Sequence, residues 1–456
     1  MKLSARNMRS SQFVTPLWIV VFLFTLFAQG ADHISTPPGP IIHRAQLNSS
    51  GETSEDDFGD AVAIDGNTVV VGAQTVNAQR GAAYVFVKPS GGWTNMTQIA
   101  ELTASDDAVH LGASVAISGD TIVVGAPYTT VNGVTQEGAV YVFVEPAGGW
   151  SDMTETARLT GAHVDSIGQD YVGATVSIDG NTIVAGVPNV LADAPALGYG
   201  EALVYVKPAQ GWANATETAV LYFPPEGYPE YGLGFGFSVA VSGNTVAVGA
   251  NGCCYQGAGT IGQAYVYVEP DTGWVTTDNY NAELTGTEVG VNDDFGWSIA
   301  IDGNTVVVGS PQHDSYQVGA AYVYVEPTGG WRNMTETAEL YPLFTQLGEF
   351  GTSVAINGNV IFIGAPFLEV TGGRGAAYAF VKPKGGWQST DAYSAEVQRS
   401  AGTSLGQSVS ISGATAVAGY SGTSTQNGGA DVFWVSLSPS ASLPTVQELD
   451  TRRVSP

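Results

Sequence analysis

The chain of 456 residues has little cysteine, and this shortage excludes a scaffold held together by several disulfides. Its two cysteines, Cys253 and Cys254, are adjacent. Neighbouring Cα atoms are only about 3.8 Å apart, below the usual range for a disulfide, so a vicinal bond between them would be strained. The alternatives to a strained, redox-active pair are two inert loop thiols and a simple turn staple.

Sequence motifs for catalysis are missing as well. None of the five histidines has a partner at metal-ligand spacing, and no Gly-x-Ser-x-Gly elbow or phosphate loop precedes a helix. We therefore predict that the protein is not an enzyme and has no cofactor. Paired carboxylates that cleave a glycosidic bond leave no local trace, so a hydrolase or lyase of extracellular polysaccharide is the alternative.

Basic residues are scarce, with 15 Lys and Arg against 42 Asp and Glu, and the formal net charge is −27. A surface this acidic repels the phosphates of nucleic acids and of anionic lipids. We expect no nucleic acid among the partners. The charge either attracts cations and basic partners or serves solubility alone.

Long apolar runs are limited to one stretch near the N-terminus, residues 17–28. Lys2, Arg6 and Arg9 precede it, and the small residues of Ala28-Gln29-Gly30 follow it. This order predicts a signal peptide over residues 1–30, a linker over residues 31–44, and a secreted protein that does not insert into a membrane after cleavage. The alternative is an uncleaved signal anchor that tethers the protein to a membrane.

Glycine, by contrast, is abundant, with 59 residues, and much of it recurs in phase. Seven segments each begin with a glycine, alternate small and β-branched residues, and reach a second glycine seven positions later. The first glycines are Gly59, Gly112, Gly173, Gly236, Gly296, Gly351 and Gly406. The mean repeat of about 58 residues suits a four-stranded propeller blade.

The first copy shows the strand pattern of one blade. Residues 58–64 alternate at period two, and Asp65-Gly66-Asn67 forms a tight turn. Residues 68–73 and 83–87 read as the second and third strands, and Ala100-Glu101-Leu102 marks the fourth. The other copies repeat these features.

The ends of the repeat array predict how the ring closes. The seventh copy stops after its third strand, while an unmatched fourth-strand signal, Ala45-Gln46-Leu47, precedes the first copy. We therefore predict an all-β, seven-bladed β-propeller of four-stranded antiparallel blades over residues 45–436, closed by the N-terminal strand. The Pro- and Ser-rich residues 437–456 are predicted to be a disordered tail.

The copies resemble FG-GAP repeats, the units of the integrin α-subunit propeller. Phe-Gly pairs stand at Phe58-Gly59, Phe235-Gly236, Phe295-Gly296 and Phe350-Gly351, and Gly-Ala-Pro triplets begin at Gly125 and Gly364. The resemblance spans residues 45–436 and implies a binding or adhesion module. Calcium-binding members of the family carry an Asp-x-Asp-x-Asp-Gly type loop between the first two strands.

In this chain a minimal turn replaces that loop in all seven copies, and calcium needs six to eight oxygens. We therefore do not expect the calcium sites of the family. Three acidic pairs occur in another class of loop: Asp56-Asp57, Asp106-Asp107 and Asp293-Asp294. A weak cation site there and simple solvated charge are the two interpretations.

The loops between strands 2 and 3, and between successive blades, vary in length and share one face of a propeller. Aromatic residues in these loops define the candidate binding face for a protein or carbohydrate ligand: Tyr128, Tyr199, Tyr228, Tyr231, Tyr255, Tyr316, Phe344 and Phe367. Alternatively, each ring covers its neighbouring loop. We predict a secreted or cell-surface binding module, with a structural repeat domain of a surface assembly as a further alternative.

The loop between strands 3 and 4 carries a recurring Trp-x-Asn/Asp motif, and we expect its tryptophans to be structural. The chain has four glycosylation sequons: Asn48, Asn95, Asn214 and Asn333. Glycans on the three sequons of this loop would cluster on the face opposite the variable loops. The alternative is a shared turn motif in which Asn or Asp caps its own backbone.

Overall fold

The computed structural model describes residues 41–51, 56–162, 169–188, 200–223, 234–252, 261–314, 317–343, 347–368, 375–399, 403–422, 427–436 and 445–449. The chain divides into two units, residues 1–37 and 38–456, and all the described residues belong to the second. The predicted signal peptide lies outside the described residues. Within them, no helix is long and apolar enough to cross a membrane.

The described residues form 33 strands and one helical turn, α1 (Val76–Gln79). The strands are β1 (Ile41–Asn48), β2 (Phe58–Asp65), β3 (Thr68–Ala73), β4 (Ala82–Val87), β5 (Met96–Thr97), β6 (Ala100–Thr103), β7 (Ser114–Ser118), β8 (Thr121–Ala126), β9 (Ala139–Val144), β10 (Met153–Thr154), β11 (Ala157–Thr160), β12 (Val176–Asp179), β13 (Thr182–Val187), β14 (Glu201–Val206), β15 (Ala215–Thr216), β16 (Ala219–Tyr222), β17 (Phe235–Ser242), β18 (Thr245–Ala250), β19 (Gln263–Val268), β20 (Ala282–Thr285), β21 (Ser298–Asp302), β22 (Thr305–Ser310), β23 (Ala320–Val325), β24 (Met334–Thr335), β25 (Ala338–Leu340), β26 (Ser353–Asn357), β27 (Val360–Ala365), β28 (Ala376–Val381), β29 (Ala395–Arg399), β30 (Ser408–Ser412), β31 (Thr415–Tyr420), β32 (Gly429–Val435) and β33 (Thr445–Leu449).

Seven sheets form seven blades, as the repeat count predicts. Blades 1 to 3 are β2-β3-β4-β6, β7-β8-β9-β11 and β12-β13-β14-β16; blades 4 to 6 are β17-β18-β19-β20, β21-β22-β23-β25 and β26-β27-β28-β29; blade 7 is β30-β31-β32-β1. The first strands contact one another in cyclic order, and β30 contacts β2. The prediction of a closed, seven-bladed all-β propeller is therefore confirmed.

The N-terminal strand closes the ring, as predicted. β1 runs antiparallel to β32, with Ile41 opposite Val435 and Leu47 opposite Ala430. Ala45 and Leu47 are fully buried against the neighbouring blade. β1 begins at Ile41, inside the segment predicted as a linker, because its pairing with β32 extends to that residue.

A buried polar network holds this closure. The Arg399 guanidinium donates from Nη1 to Asp431 Oδ2 at 3.0 Å and lies 3.7 Å from the centroid of the Tyr420 ring. The other carboxylate oxygen of Asp431 is 3.1 Å from Nε2 of His43. Because His43 is on β1 and Arg399 is on β29, the network joins blade 6 to the N-terminal strand.

The loop between strands 3 and 4 of one blade clasps the blade before it. The short strands β5, β10, β15 and β24 each pair in parallel with an outer strand of the preceding blade. In the same loops, Asn95 Oδ1 accepts a hydrogen bond from Gln46 N, and Asn214 Oδ1 accepts one from Arg158 N. The motif therefore caps the backbone of the neighbouring blade, and not its own backbone as the alternative supposed.

The C-terminal segment takes the place of a clasp on blade 6. Blade 7 has no continuous loop between strands 3 and 4, since its fourth strand comes from the N-terminus. β33 instead pairs in parallel with the outer strand of blade 6, from Ala395 opposite Thr445 to Arg399 opposite Leu449. The tail predicted to be disordered thus contains a paired strand, because the edge of β29 offers free hydrogen-bonding groups.

At every joint between blades, the glycine of the Gly-Ala-Pro-type triplet in one blade meets the glycine of the Phe-Gly-type pair in the next blade. A Cβ on Gly125 would lie 2.0 Å from the carbonyl oxygen of Gly173 in the next blade, and a Cβ on Gly419 would lie 2.0 Å from that of Gly59. The hydroxyl of Ser114 also donates to Gly173 O at 2.8 Å. Since this spacing leaves no room for a side chain, the repeat requires glycine at both places.

The turns between strands 1 and 2 form a circle of hydrogen bonds around the axis. The side chain before each turn glycine accepts from the N–H of the equivalent glycine in the next blade, for example Asp65 Oδ2 from Gly119 N at 2.7 Å. The seven acceptors are Asp65, Ser118, Asp179, Ser242, Asp302, Asn357 and Ser412. These turn side chains therefore connect blades.

Candidate functional site

Each first strand begins with a tight turn on the face of the variable loops. In all seven blades, the N–H of the residue after the FG-type pair donates to the carbonyl of the residue before it, as in Trp297 N to Asp294 O at 3.1 Å. The glycine of the pair has a φ of 84° to 100°, the conformation that a type II turn needs at this position. The apolar residue of the pair is buried, so the side chains on either side of the pair are the ones that can contribute to the surface.

We call the charged and aromatic side chains among them the FG rim. It comprises Asp57 and Asp60 in blade 1, His110 in blade 2, Tyr171 in blade 3, Phe237 in blade 4, Asp294 and Trp297 in blade 5, and Glu349 in blade 6. All of them are half-buried. Because the first strands surround the axis, these residues of blades 1 to 6 lie around one end of the ring.

Carboxylates occupy one arc of the rim, in blades 5, 6 and 1. Burial raises the pKa of Asp60 to about 6, and Asp57 adds to this shift, while hydrogen bonds from Ser421 and Gln74 oppose it. Burial also raises the pKa of Asp294 to about 6, with Asp293 adding to the shift. These carboxylates lose solvation and repel their neighbours, so this arc favours cations.

The pKa of Glu349 is raised by burial and by the charge of Asp294 in the preceding blade. Rim residues of adjacent blades are therefore close enough to interact electrostatically.

Aromatic rings occupy the opposite arc. The rings of His110 and Tyr128 are 4.7 Å apart between centroids, and those of Tyr128 and Tyr171 are 5.2 Å apart. Further along, Phe237 and Trp297 stand 4.8 Å apart on neighbouring first strands. Partly exposed ring pairs of this kind offer apolar faces that attract cations or stack on sugars.

The structure describes two of the eight predicted binding-face aromatics. Tyr128 is 38% exposed and joins the aromatic arc, and Phe367 is 45% exposed in a loop of blade 6. The other predicted positions lie outside the described residues: Tyr199, Tyr228, Tyr231, Tyr255, Tyr316, Phe344, Cys253 and Cys254. Sequence reasoning missed Tyr171, Phe237 and Trp297, although their fixed places beside the FG-type pairs could have identified them.

The predicted sequons occupy exposed and half-buried positions. Asn95, Asn214 and Asn333 are exposed in the clasping loops, and Asn48 is half-buried at the end of β1. The tryptophans of these loops pack as structural residues: Trp150, Trp212, Trp274, Trp331 and Trp387 are buried, and Trp93 is half-buried. Glycosylation of the sequons stays a prediction.

Asp106 and Asp293, each from one of the acidic pairs, contact side chains of the fold. Asp106 accepts a hydrogen bond from the Tyr141 hydroxyl at 2.8 Å and forms an ion pair with Arg158 at 3.0 Å. Asp293 lies 2.8 Å from Nδ1 of His313 through its Oδ2.

His313 belongs to a small cluster of metal-ligating side chains beside the rim. Ligand atoms of Glu288, His313 and Glu339 all lie within 4.8 Å of one another. Glu288 follows the outer strand of blade 4, whereas His313 and Glu339 belong to blade 5. The separation of these residues along the chain hid the cluster from a search for local spacing.

Together, the closed ring and the rim on its variable-loop face define a seven-bladed β-propeller sealed by its own N-terminal strand. The family model for the FG-GAP repeat matches residues 43–86, 96–143 and 279–324, so these three segments are FG-GAP repeats, and they are consistent with the integrin alpha-like family. No curated protein matches the chain. The repeats and the fold point to a binding or adhesion-type module.

Each matched segment covers the outer strand of one blade and the first three strands of the next. The first match begins within β1 and therefore includes the strand that closes the ring.

Proposed function

We propose that this protein is a non-catalytic binding module, secreted or held at the cell surface, that binds a basic segment of a protein partner at the FG rim. The observation that carries the proposal is the division of the rim into a carboxylate arc and an aromatic arc. Both arcs favour the same ligand chemistry, because carboxylates pair with Lys and Arg, and aromatic faces attract the same cations.

The electrostatics of the rim support this choice. Asp60 and Asp294 are held near neighbouring carboxylates and away from water, which raises the pKa of each to about 6. A cationic ligand group would offset this repulsion and favour the ionised form. The net charge of −27 would also steer a basic partner toward the protein.

A glycan is the second candidate ligand, favoured by the adjacent rings of Phe237 and Trp297. Aromatic faces stack on sugar rings, and nearby carboxylates can accept hydrogen bonds from hydroxyl groups. The two candidates differ in salt dependence, because binding between opposite charges weakens as salt screens them.

The experiment measures binding of the full chain to an array of Lys- and Arg-rich peptides and to a glycan array. The rim variants are Trp297→Ala and Glu349→Gln, and the matched controls outside the rim are Trp434→Ala and Glu145→Gln. We expect each rim variant to weaken peptide binding about tenfold or more, as central contacts of an interface do, and the controls to leave it unchanged.

Salt-sensitive peptide binding lost in the rim variants would support the proposal, and salt-insensitive glycan binding lost in the same variants would favour the second candidate. Binding that survives in both rim variants would contradict the rim as the site. Hydrolysis of a polysaccharide panel by the wild-type chain would contradict a non-catalytic role.

A further inference from the structure

We infer that Glu288, His313 and Glu339 form a binding site for a divalent transition-metal ion of the zinc type. The site lies between the end of blade 4 and the second and fourth strands of blade 5, and it does not depend on the ligand of the FG rim. It also differs from a calcium loop between strands 1 and 2, both in its place and in its donor atoms.

The donor set selects the kind of metal. One imidazole nitrogen and two carboxylate oxygens suit zinc and its neighbours, whereas calcium and magnesium prefer sites built from oxygen alone. Three protein ligands leave a fourth position of a tetrahedral ion open. An open cavity of about 420 Å³, lined by His313, Glu288 and Gln317, gives that position access to solvent.

The distances leave space for an ion. Nε2 of His313 and Oε1 of Glu339 are 3.9 Å apart, which is too long for a direct hydrogen bond. Two ligand atoms on a tetrahedral zinc ion at 2.0–2.1 Å stand about 3.3–3.5 Å apart, so closure by about half an ångström would suffice. The Glu288 side chain is exposed and can rotate to supply the third ligand.

The second nitrogen of the imidazole is already held. Asp293 Oδ2 lies 2.8 Å from Nδ1 of His313, which directs Nε2 toward Glu339. A carboxylate that orients a metal-binding histidine in this way is a common support of zinc sites. Asp293 is itself fixed, because the same oxygen accepts a hydrogen bond from Gly290 N at 2.7 Å.

Burial makes an ion favourable here. The side chains of His313 and Glu339 are only 18% and 16% exposed. The carboxylates of Glu288 and Glu339 each have an oxygen within 4.8 Å of the other, so their charges repel. A divalent ion among these groups would neutralise the repulsion between the two carboxylates.

Calorimetry with zinc chloride alone, on the full chain freed of metal by a chelator, tests the inference. We expect one zinc ion per chain, with affinity reduced at least tenfold in His313→Ala and Glu339→Gln, and about 10- to 100-fold in Asp293→Asn. Cobalt(II) at the same site should give the visible absorption of a low-coordinate N/O complex, which His313→Ala should abolish.

The control Glu326→Gln removes a carboxylate from the same blade outside the cluster and should bind zinc as the wild type does. Thermal unfolding without metal shows whether each variant still folds. Absence of zinc binding in the wild type, or equal binding in His313→Ala and Glu339→Gln, would overturn the site and indicate an adventitious ion only. Unchanged affinity in a folded Asp293→Asn would overturn the orienting role of Asp293.

Discussion

Replacing Gly125 by alanine tests whether contact between the triplet glycine of one blade and the pair glycine of the next holds the blades at their observed spacing. Gly125 is in β8, and its backbone φ is not in the left-handed region, so alanine adds no backbone strain. The new Cβ would instead lie 2.0 Å from Gly173 O and 2.3 Å from Ser114 Oγ. The effect of the substitution is therefore steric and falls on the joint between blades 2 and 3.

The size of the effect follows from these distances. Contact with the carbonyl becomes acceptable near 3.4 Å, so the two blades must separate by about 1.4 Å (3.4 less 2.0 Å) or distort. Overpacking of this kind costs about 1–3 kcal/mol. Displacing Ser114 also removes its hydrogen bond to Gly173 O, worth about 1 kcal/mol. We expect Gly125→Ala to lower the free energy of unfolding by about 2–4 kcal/mol.

Unfolding in guanidinium chloride, followed by tryptophan fluorescence at a fixed incubation time, measures this loss. The matched control is Gly148→Ala, because Gly148 also has an unstrained φ and a Cβ there would meet nothing within 4 Å. If the free energies of unfolding of Gly125→Ala and Gly148→Ala agree within about 0.5 kcal/mol, the steric reasoning about the joints is refuted.

Two further predictions concern charge. Arg399→Met leaves Asp431 buried without its cation and should destabilise the ring by about 3–5 kcal/mol. The double variant Arg399→Met with Asp431→Asn should recover part of this loss. Equal losses of stability in thermal melts of the single and the double variant would contradict the network. Burial raises the pKa of Asp60 in the folded protein to about 6. The contribution of Asp60 to the stability of the fold is therefore favourable below about pH 4 and is lost as pH rises through 6. The stability of Asp60→Asn relative to wild type should therefore increase over this pH range, by up to about 3 kcal/mol, and a difference that stays flat from pH 4 to pH 8 would contradict the raised pKa.

The number and closure of the blades were predictable because their signals are local and periodic. The turn glycines and the alternation in segments such as residues 58–64 mark strands directly, and the unmatched signal at residues 45–47 indicated the closing strand. The pairing of β33 was not predictable, since it depends on a free edge created on β29 by the absence of a clasping loop. That unpaired edge is visible only in the assembled ring.

The site was harder to predict than the fold, because each blade contributes one or two of its residues. Phe237 and Trp297 are 60 positions apart in sequence and become neighbours only when the first strands surround the axis. His313 and Glu288 lie in different loops, and they come close together only because blade 5 packs against blade 4. Long-range contacts of this kind leave no spacing rule in the chain.

Because the N-terminal strand closes the ring, the same fold could be built from a chain that starts in a different loop. Ile41 is paired with Val435, so a short linker could join these two ends and complete a loop between strands 3 and 4 in blade 7. Such a circular permutant, reopened in the corresponding loop of another blade, would keep all seven joints. Its new linker could also supply the parallel pairing that residues 445–449 give to blade 6, and those residues would then become dispensable.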